Sequence, residues 1–244
     1  MTDQTAPCPV IVTRARPGAL ETFERLTLMP CRPVLSPMLT ITANTQVAPL
    51  DLRKVQGLIF TSANGVRAYA DAGYPIENTA WCVGPATLLE AESAGFEDCR
   101  NADGNADDLA DLINRTADPH AGELLHVANK AAAGQLVLKL TRAGFQVRFA
   151  PLYYAQRNQV MAPSASLALF HAARGIVLIH SAKGAEAFLA ASRKIRTKGV
   201  WQIAAVSERA GKPLALGKGW PLYSAQKPNE TALLSVLADR LAVI

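Results

Sequence analysis

The chain is predicted to be an α/β protein of two similar lobes, each a parallel sheet flanked by helices. Three observations carry this. The segment GLIFTSANGVRA (57–68) returns as GIVLIHSAKGAEA (175–187), in both cases an apolar run, a Ser-Ala-x-Gly turn and a helix. The downstream segments repeat in the same order, Val83-Gly84-Pro85-Ala86-Thr87 against Val206-Ser207-Glu208-Arg209-Ala210, then Asn105–Leu109 against Asn229–Leu233. The spacing far exceeds the roughly 20–50 residues of solenoid repeats, so it marks two related lobes. From Leu58 onward, short apolar runs alternate with helix-length segments, the pattern of parallel sheets covered by helices.

Taken in order, Pro9–Thr13 reads as a buried strand and Ala19–Leu28 as a helix. Pro33 and Pro37 interrupt extended, apolar sequence up to Ile41, which predicts a segment crossing between lobes more than a central strand. Next come strand Leu58–Phe60, helix Ala63–Ala72, strand Thr79–Val83, helix Pro85–Ser93 and helix Ala106–Asn114. Strand Leu124–Val127, helix Ala131–Arg142 and strand Gln146–Tyr154 close the first set. The second set runs through strand Ile176–Ile179, helix Lys183–Ser192, strand Gln202–Val206, helix Glu208–Leu216 and helix Glu230–Leu241. One lobe is therefore expected to be continuous, over 42–151. The other joins 1–38 to 157–244, because the second copy lacks an opening strand–helix unit and residues 9–28 supply one. The interlobe linkers fall at 36–41 and 152–157.

Composition narrows the function. Half of the 244 residues are apolar, enough for a substantial core. With 25 basic against 20 acidic side chains and no basic run longer than two, the charge suits an acidic small molecule and argues against nucleic acid. Cys8, Cys31, Cys82 and Cys99 lack C-x-x-C spacing, which predicts reduced thiols and a cytoplasmic setting. His120, His126, His171 and His180 lack zinc-site spacing. No apolar stretch approaches membrane-spanning length, and Met1–Pro9 is not built like a signal peptide.

In parallel sheets ligands bind beyond the carboxyl ends of strands, where the next helices begin. The recurrent turns lie there. Ser62, Ser181, Asn105 and Asn229 are placed as helix N-caps, and Gly84-Pro85 puts proline at a first helical position. Such starts offer unpaired N–H groups and the positive end of the helix dipole to an anion. Each turn alone reads as an ordinary cap; the matched sets on two lobes point to an anionic ligand. There is no P-loop, no G-x-G-x-x-G fingerprint and no G-x-S-x-G elbow. Asp107 and Asp108 read as solvated residues of a first helical turn, and His126 and His180 as strand-end residues, structural or donating. Alternation is expected to send one of the Tyr153 and Tyr154 rings toward the core and the other toward a cleft between the lobes.

The order Val12-Thr13-Arg14, Leu58-Ile59-Phe60-Thr61-Ser62-Ala63-Asn64-Gly65, Val83-Gly84-Pro85-Ala86-Thr87, Gly104-Asn105, Tyr154 and His180-Ser181 resembles the uroporphyrinogen-III synthase family across essentially the whole chain. The resemblance implies two α/β lobes joined by a two-stranded linker, with the active site in the cleft between them. It implies closure of hydroxymethylbilane, a linear tetrapyrrole with eight carboxylates, into uroporphyrinogen III with ring D inverted and water lost. It implies that neither cofactor nor metal is used, and it makes the upstream bilane-forming enzyme a candidate partner.

On the same resemblance, Thr13, Thr61, Ser62, Asn64, Gly84, Pro85, Thr87, Asn105, Ser181 and Ser207 are expected to bind substrate, and Arg14 and Lys183 to pair with its carboxylates. Tyr154 is the expected proton donor to the departing hydroxyl, since an ordinary phenol is protonated at neutral pH. The chain departs from the family at Val206-Ser207-Glu208-Arg209, where Arg209 can compensate for the usual threonine. It departs again at Asn129 and Ala133, where Lys130 can supply a missing basic contact. Loss of the ring A hydroxyl, attack by the substituted carbon of ring D and a spiro intermediate make up the implied route. A non-enzymatic bilobed protein that binds anions or tetrapyrroles is the alternative left open.

Overall fold

The run Cys8–Val12 (β1) is buried at every position, as in a strand covered on both faces. The computed structural model describes residues 6–129 and 134–244. After β1 come α1 (Gly18–Leu26), β2 (Cys31–Leu35), β3 (Leu39–Ala43), β4 (Val55–Phe60), α2 (Ala63–Asp71), β5 (Thr79–Cys82) and α3 (Pro85–Ser93). Then come β6 (Cys99–Asn101), α4 (Ala106–Thr116), β7 (Glu123–Asn129), α5 (Gln135–Arg142) and β8 (Gln146–Arg157). The chain ends with α6 (Pro163–His171), β9 (Arg174–Ile179), α7 (Ala182–Ala191), β10 (Val200–Ala205), α8 (Glu208–Lys218), β11 (Leu222–Ser224) and α9 (Glu230–Leu241).

The chain divides into two units, Met1–Thr40 with Gln156–Ile244, and Ile41–Ala155. In the first, the sheet order is β11-β10-β9-β1-β2 with all neighbours parallel. In the second it is β3-β8-β7-β4-β5-β6, with parallel pairs from β8 to β6. Superposing the repeat, β2-β1-β9-β10-β11 corresponds to β8-β7-β4-β5-β6. The lobes share one strand order but are circularly permuted, with the β1–α1–β2 unit opening one and β7–α5–β8 closing the other. The chain crosses between units within β3 and again within β8. Backbone bonds from Asn44 to Leu152 and from Asn158 to Met38 run in opposite senses, so this pair is antiparallel.

Alternate residues of each central strand feed different cores. Val10 and Val12 pack with Ile176 and Leu178 beneath α9, whereas Ile11 packs with Val177 and Ile179 among Phe188 and Trp201. In the second unit Leu58 and Phe60 join one core, with Leu125 and Val127, while Ile59 joins the other with Leu124. Burial on both faces is why these strands read as unbroken apolar runs.

Some expectations need correction. The proline-containing stretch is not a single crossing segment: Pro33 lies inside β2, opposite Val10. β2 is an edge strand, which needs hydrogen-bond donors on one side only and so tolerates proline. β6, β11 and α6 went unpredicted. Two are three-residue strands with no buried position, and α6 carries apolar residues without a strong period. The expected helix start at Ala131 lies outside the described residues, as does Met1–Thr5.

Candidate functional site

In each unit the connections leave one pair of neighbouring strands in opposite directions. In the first this junction is β1/β9, and in the second β7/β4. Open α/β sheets bind ligands at the carboxyl ends of such a pair.

At the β7/β4 junction, Ser62 ends the extended backbone and its Oγ accepts from the Asn64 N–H at 3.2 Å. Gly65 lets α2 begin this close to β7, because a Cβ there would come within 2.8 Å of the Val127 carbonyl oxygen. The Tyr153 hydroxyl is hydrogen-bonded to the Ser62 side chain and to the backbone of Asn129. Burial raises the Tyr153 pKa, while those two contacts pull it down. Asn64 N–H, Ser62 and Tyr153 thus form a hydrogen-bonded chain at the start of α2. Tyr153 is 5% exposed; Tyr154, one residue on along β8, is half-buried and projects to the other face.

His126, expected at a strand end, sits inside β7 because that strand continues to Asn129. Its Nε2 lies 3.3 Å from Thr61 Oγ1, and its Nδ1 has no partner among the described residues. Burial lowers its pKa to about 4, so the ring is neutral at pH 7. Asn64 Oδ1 accepts from Arg67 at 3.4 Å, and Arg67 in turn pairs with Glu90.

The remaining helix starts differ in what they offer an anion. α3 begins at Gly84 with no side-chain cap, Pro85 in its first turn and no acidic residue there; Thr87 is buried behind it. α4 is already satisfied. Asn105 and Asp108 form a capping box, with Asp107 beside them paired to Lys139, so two carboxylates occupy that dipole. Asn105 is thus a cap at a start that repels further negative charge. Asp107 and Asp108 lie in the first turn, as expected, and Asp108 also closes the capping box.

At the β1/β9 junction, Thr13 is buried and donates to the Leu178 carbonyl at 2.7 Å, tying the two strands together. Ser181 caps α7 through the Gly184 N–H at 3.1 Å. The first turn of α7 carries Lys183 and no acid, and Lys183 makes no ion pair among the described residues. Ser207 caps α8 through Ala210 N–H at 3.3 Å, but Glu208 occupies that first turn beside the exposed Arg209. Asn229 caps α9 through Ala232 N–H at 2.9 Å, with Glu230 next to it.

Glu230 gathers the junction. Its Oε2 accepts from Arg14 Nη1 at 3.1 Å and from His180 Nε2 at 2.8 Å, and its Oε1 from Thr22 Oγ1 at 2.6 Å. Burial alone would raise the Glu230 carboxyl, yet the bonds from His180 and Thr22 and the Arg14 charge hold it at about 2. His180 is lowered by burial and stays neutral, donating from Nε2. Arg14, expected to pair with a substrate carboxylate, has part of its charge neutralised by Glu230.

Of the starts singled out from the sequence, those that hold no acid are therefore α2 and α3 in one unit and α7 in the other; α5 and α6 also begin without one. Tyr153, Glu230 and Thr22 were missed by sequence reasoning; alternation along β8 was the only signal for Tyr153. Lys130 and Ala133 lie outside the described residues. Burial pushes Cys31 up to about 11 and Cys82 up to about 12, with neighbouring thiols and, at Cys82, Glu92 adding to it, so both remain thiols. Among the described residues no three His, Cys, Asp or Glu side chains gather as metal ligands, and no helix is long and apolar enough to cross a membrane.

Comparison with known proteins bears on this site. The family model described as Uroporphyrinogen-III synthase HemD matches residues 23–235. No curated protein sequence matches the chain. Among solved structures, uroporphyrinogen-III synthetase from Helicobacter pylori is similar over 96% of this chain and 99% of its own, at 17% identity and a TM-score of 0.65. A mutant uroporphyrinogen III synthase from Thermus thermophilus is similar over 97% and 99%, at 14% identity and a TM-score of 0.53. Both likenesses establish the fold.

Proposed function

The chain belongs to the uroporphyrinogen-III synthase family, and from that premise we propose how its own residues carry the family's reaction. The enzyme closes linear hydroxymethylbilane to uroporphyrinogen III, with ring D inverted and water lost. The match over residues 23–235 carries this conclusion.

Bilane carboxylates bind at three helix starts that the repeat singles out and that hold no acid of their own: α2 at Ser62 and Asn64, α3 at Gly84 and Pro85, and α7 at Ser181 and Lys183. Each charge-assisted contact of this kind is worth about 1.5–3 kcal/mol. Thr13, Thr61 and Thr87 shape these starts from behind. Asn105, Ser207 and Arg209 contribute less, since Asp107, Asp108 and Glu208 already face those dipoles.

Proton donation to the departing ring A hydroxyl belongs to Tyr153, not to Tyr154. The support is the hydrogen-bonded chain from Asn64 through Ser62 to the Tyr153 oxygen: Ser62 Oγ already accepts from Asn64 and has its own proton to donate onward. With a raised pKa, Tyr153 is a phenol at any physiological pH. Left alone, the bilane cyclises without inversion, so the enzyme has a competition to win. A hundredfold preference needs only about 2.7 kcal/mol, within what orienting four linked rings supplies.

The test compares Tyr153→Phe with Tyr154→Phe in an assay that resolves isomers I and III. Tyr153→Phe is expected to slow formation of isomer III by about 10–100 fold, with Tyr154→Phe within about twofold of the unsubstituted enzyme. The reverse ranking returns the role to Tyr154. No effect from either removes tyrosine from the chemistry.

A further inference from the structure

Arg14 is held in an unusual way. Only its Nη1 is engaged among the described residues, by Glu230 at 3.1 Å and Thr22 at 3.4 Å. The Nε–Nη2 edge, which forms the fork that grips a carboxylate through two parallel bonds, has no protein partner there. The plane of the group lies against Gly18: a Cβ at that position would fall 2.5–2.6 Å from Cζ, Nη2 and Nε alike. Gly18 opens α1, so the guanidinium rests flat on the first turn of that helix.

Glu230 in turn has little freedom. It takes bonds from three elements, Thr22 on α1, Arg14 after β1 and His180 after β9, and it is itself the first residue of α9. Its side chain is 14% exposed, and that of Arg14 is 22% exposed. A carboxylate placed beside an arginine that must receive a polyanion weakens long-range attraction. What it adds is direction. An arginine already fixed in one pose loses less freedom when its open edge meets a ligand.

We propose that Glu230, with Thr22 and Gly18, is a positioning set that mounts Arg14 so that its Nε–Nη2 edge receives one bilane carboxylate in a single orientation. The inference rests on reading the helix-start rims as carboxylate sites and goes beyond it by naming what sets the geometry. His180 completes the mount by holding the second lone-pair direction of Glu230 Oε2. None of these residues contacts substrate except Arg14.

The test is a double-mutant cycle on the full chain, reading KM, kcat and the ratio of isomers III and I. Arg14→Ala should raise KM for hydroxymethylbilane about tenfold, the loss of one charge-assisted contact. Glu230→Gln should raise KM several-fold with kcat nearly unchanged, and should add nothing further in the Arg14→Ala background. Gly18→Ala, which displaces the guanidinium without touching Glu230, should do the same, and serves alone if Glu230→Gln does not fold. A purely structural role for Glu230 would lower the active fraction, hence apparent kcat, and leave KM where it was. Unchanged KM, or equal KM effects with and without Arg14, overturns the mount. Isomer I alone from the unsubstituted protein would instead defeat the rim reading itself, and the mount with it.

Discussion

Acid should loosen the second unit through one histidine. His126 is 2% exposed inside β7, its Nδ1 lacks a partner among the described residues, and burial holds its pKa at about 4 against an ordinary value of 6.5. Between those values the unfolded chain carries the proton and the folded one refuses it, so stability rises with pH through this window. The contribution is complete above pH 6.5 and is lost as pH falls toward 4. From the two pKa values, the loss is about 2 kcal/mol at pH 5 and about 3 kcal/mol at pH 4. His180, also lowered by burial, acts in the same direction, so the comparison has to isolate His126. Urea unfolding at pH 7, 5.5, 5 and 4 of the unsubstituted chain and of His126→Gln does this. Gln does not titrate and retains a polar group for Thr61. The stability of the unsubstituted chain relative to His126→Gln should fall by about 2 kcal/mol from pH 7 to pH 5. A constant difference would mean that His126 is protonated in the folded state, and the burial argument would be refuted.

Other perturbations act on the packing and the caps. Asn105→Ala removes a capping box and should cost about 1 kcal/mol in urea unfolding while leaving KM unchanged; a raised KM would restore the α4 start to the substrate site. Gly175→Ala would put a Cβ 2.4 Å from the ring of Trp201, which is 1% exposed and has nowhere to move. A loss of about 1–3 kcal/mol is expected. Gly84→Ala, with open space around its Cβ and ordinary extended φ, should be close to neutral in the same stability measurement.

Much of this architecture was legible because it is local. A Ser or Asn before an apolar helix announces its cap within three residues, and Ser62, Ser181, Asn105 and Asn229 all cap as their sequence neighbourhoods predict. Unbroken apolar runs announced sheets buried on both faces. What escaped is what depends on distant partners. Glu230 meets Arg14 across 216 positions of sequence, and nothing around either residue marks the other. The choice between Tyr153 and Tyr154 turns on register. A shift between Val127 and Asn129 brings Asn129 opposite Tyr153, and alternation alone could not say which ring would arrive there. His126 was misplaced for a related reason, since the polar Asn129 that extends β7 reads as the start of a loop. The acids that close the α4 and α8 starts were visible in the sequence. Their meaning for an anionic ligand emerged only once each carboxylate was placed on its helix.

The claim that these rims fold a polyacidic bilane with inversion of its last ring is tested most directly by product identity. The protein is mixed with freshly prepared hydroxymethylbilane, the products are oxidised to porphyrins, and isomers I and III are separated. Isomer III in large excess over an enzyme-free control is the predicted result. Isomer I at the rate of that control would contradict it.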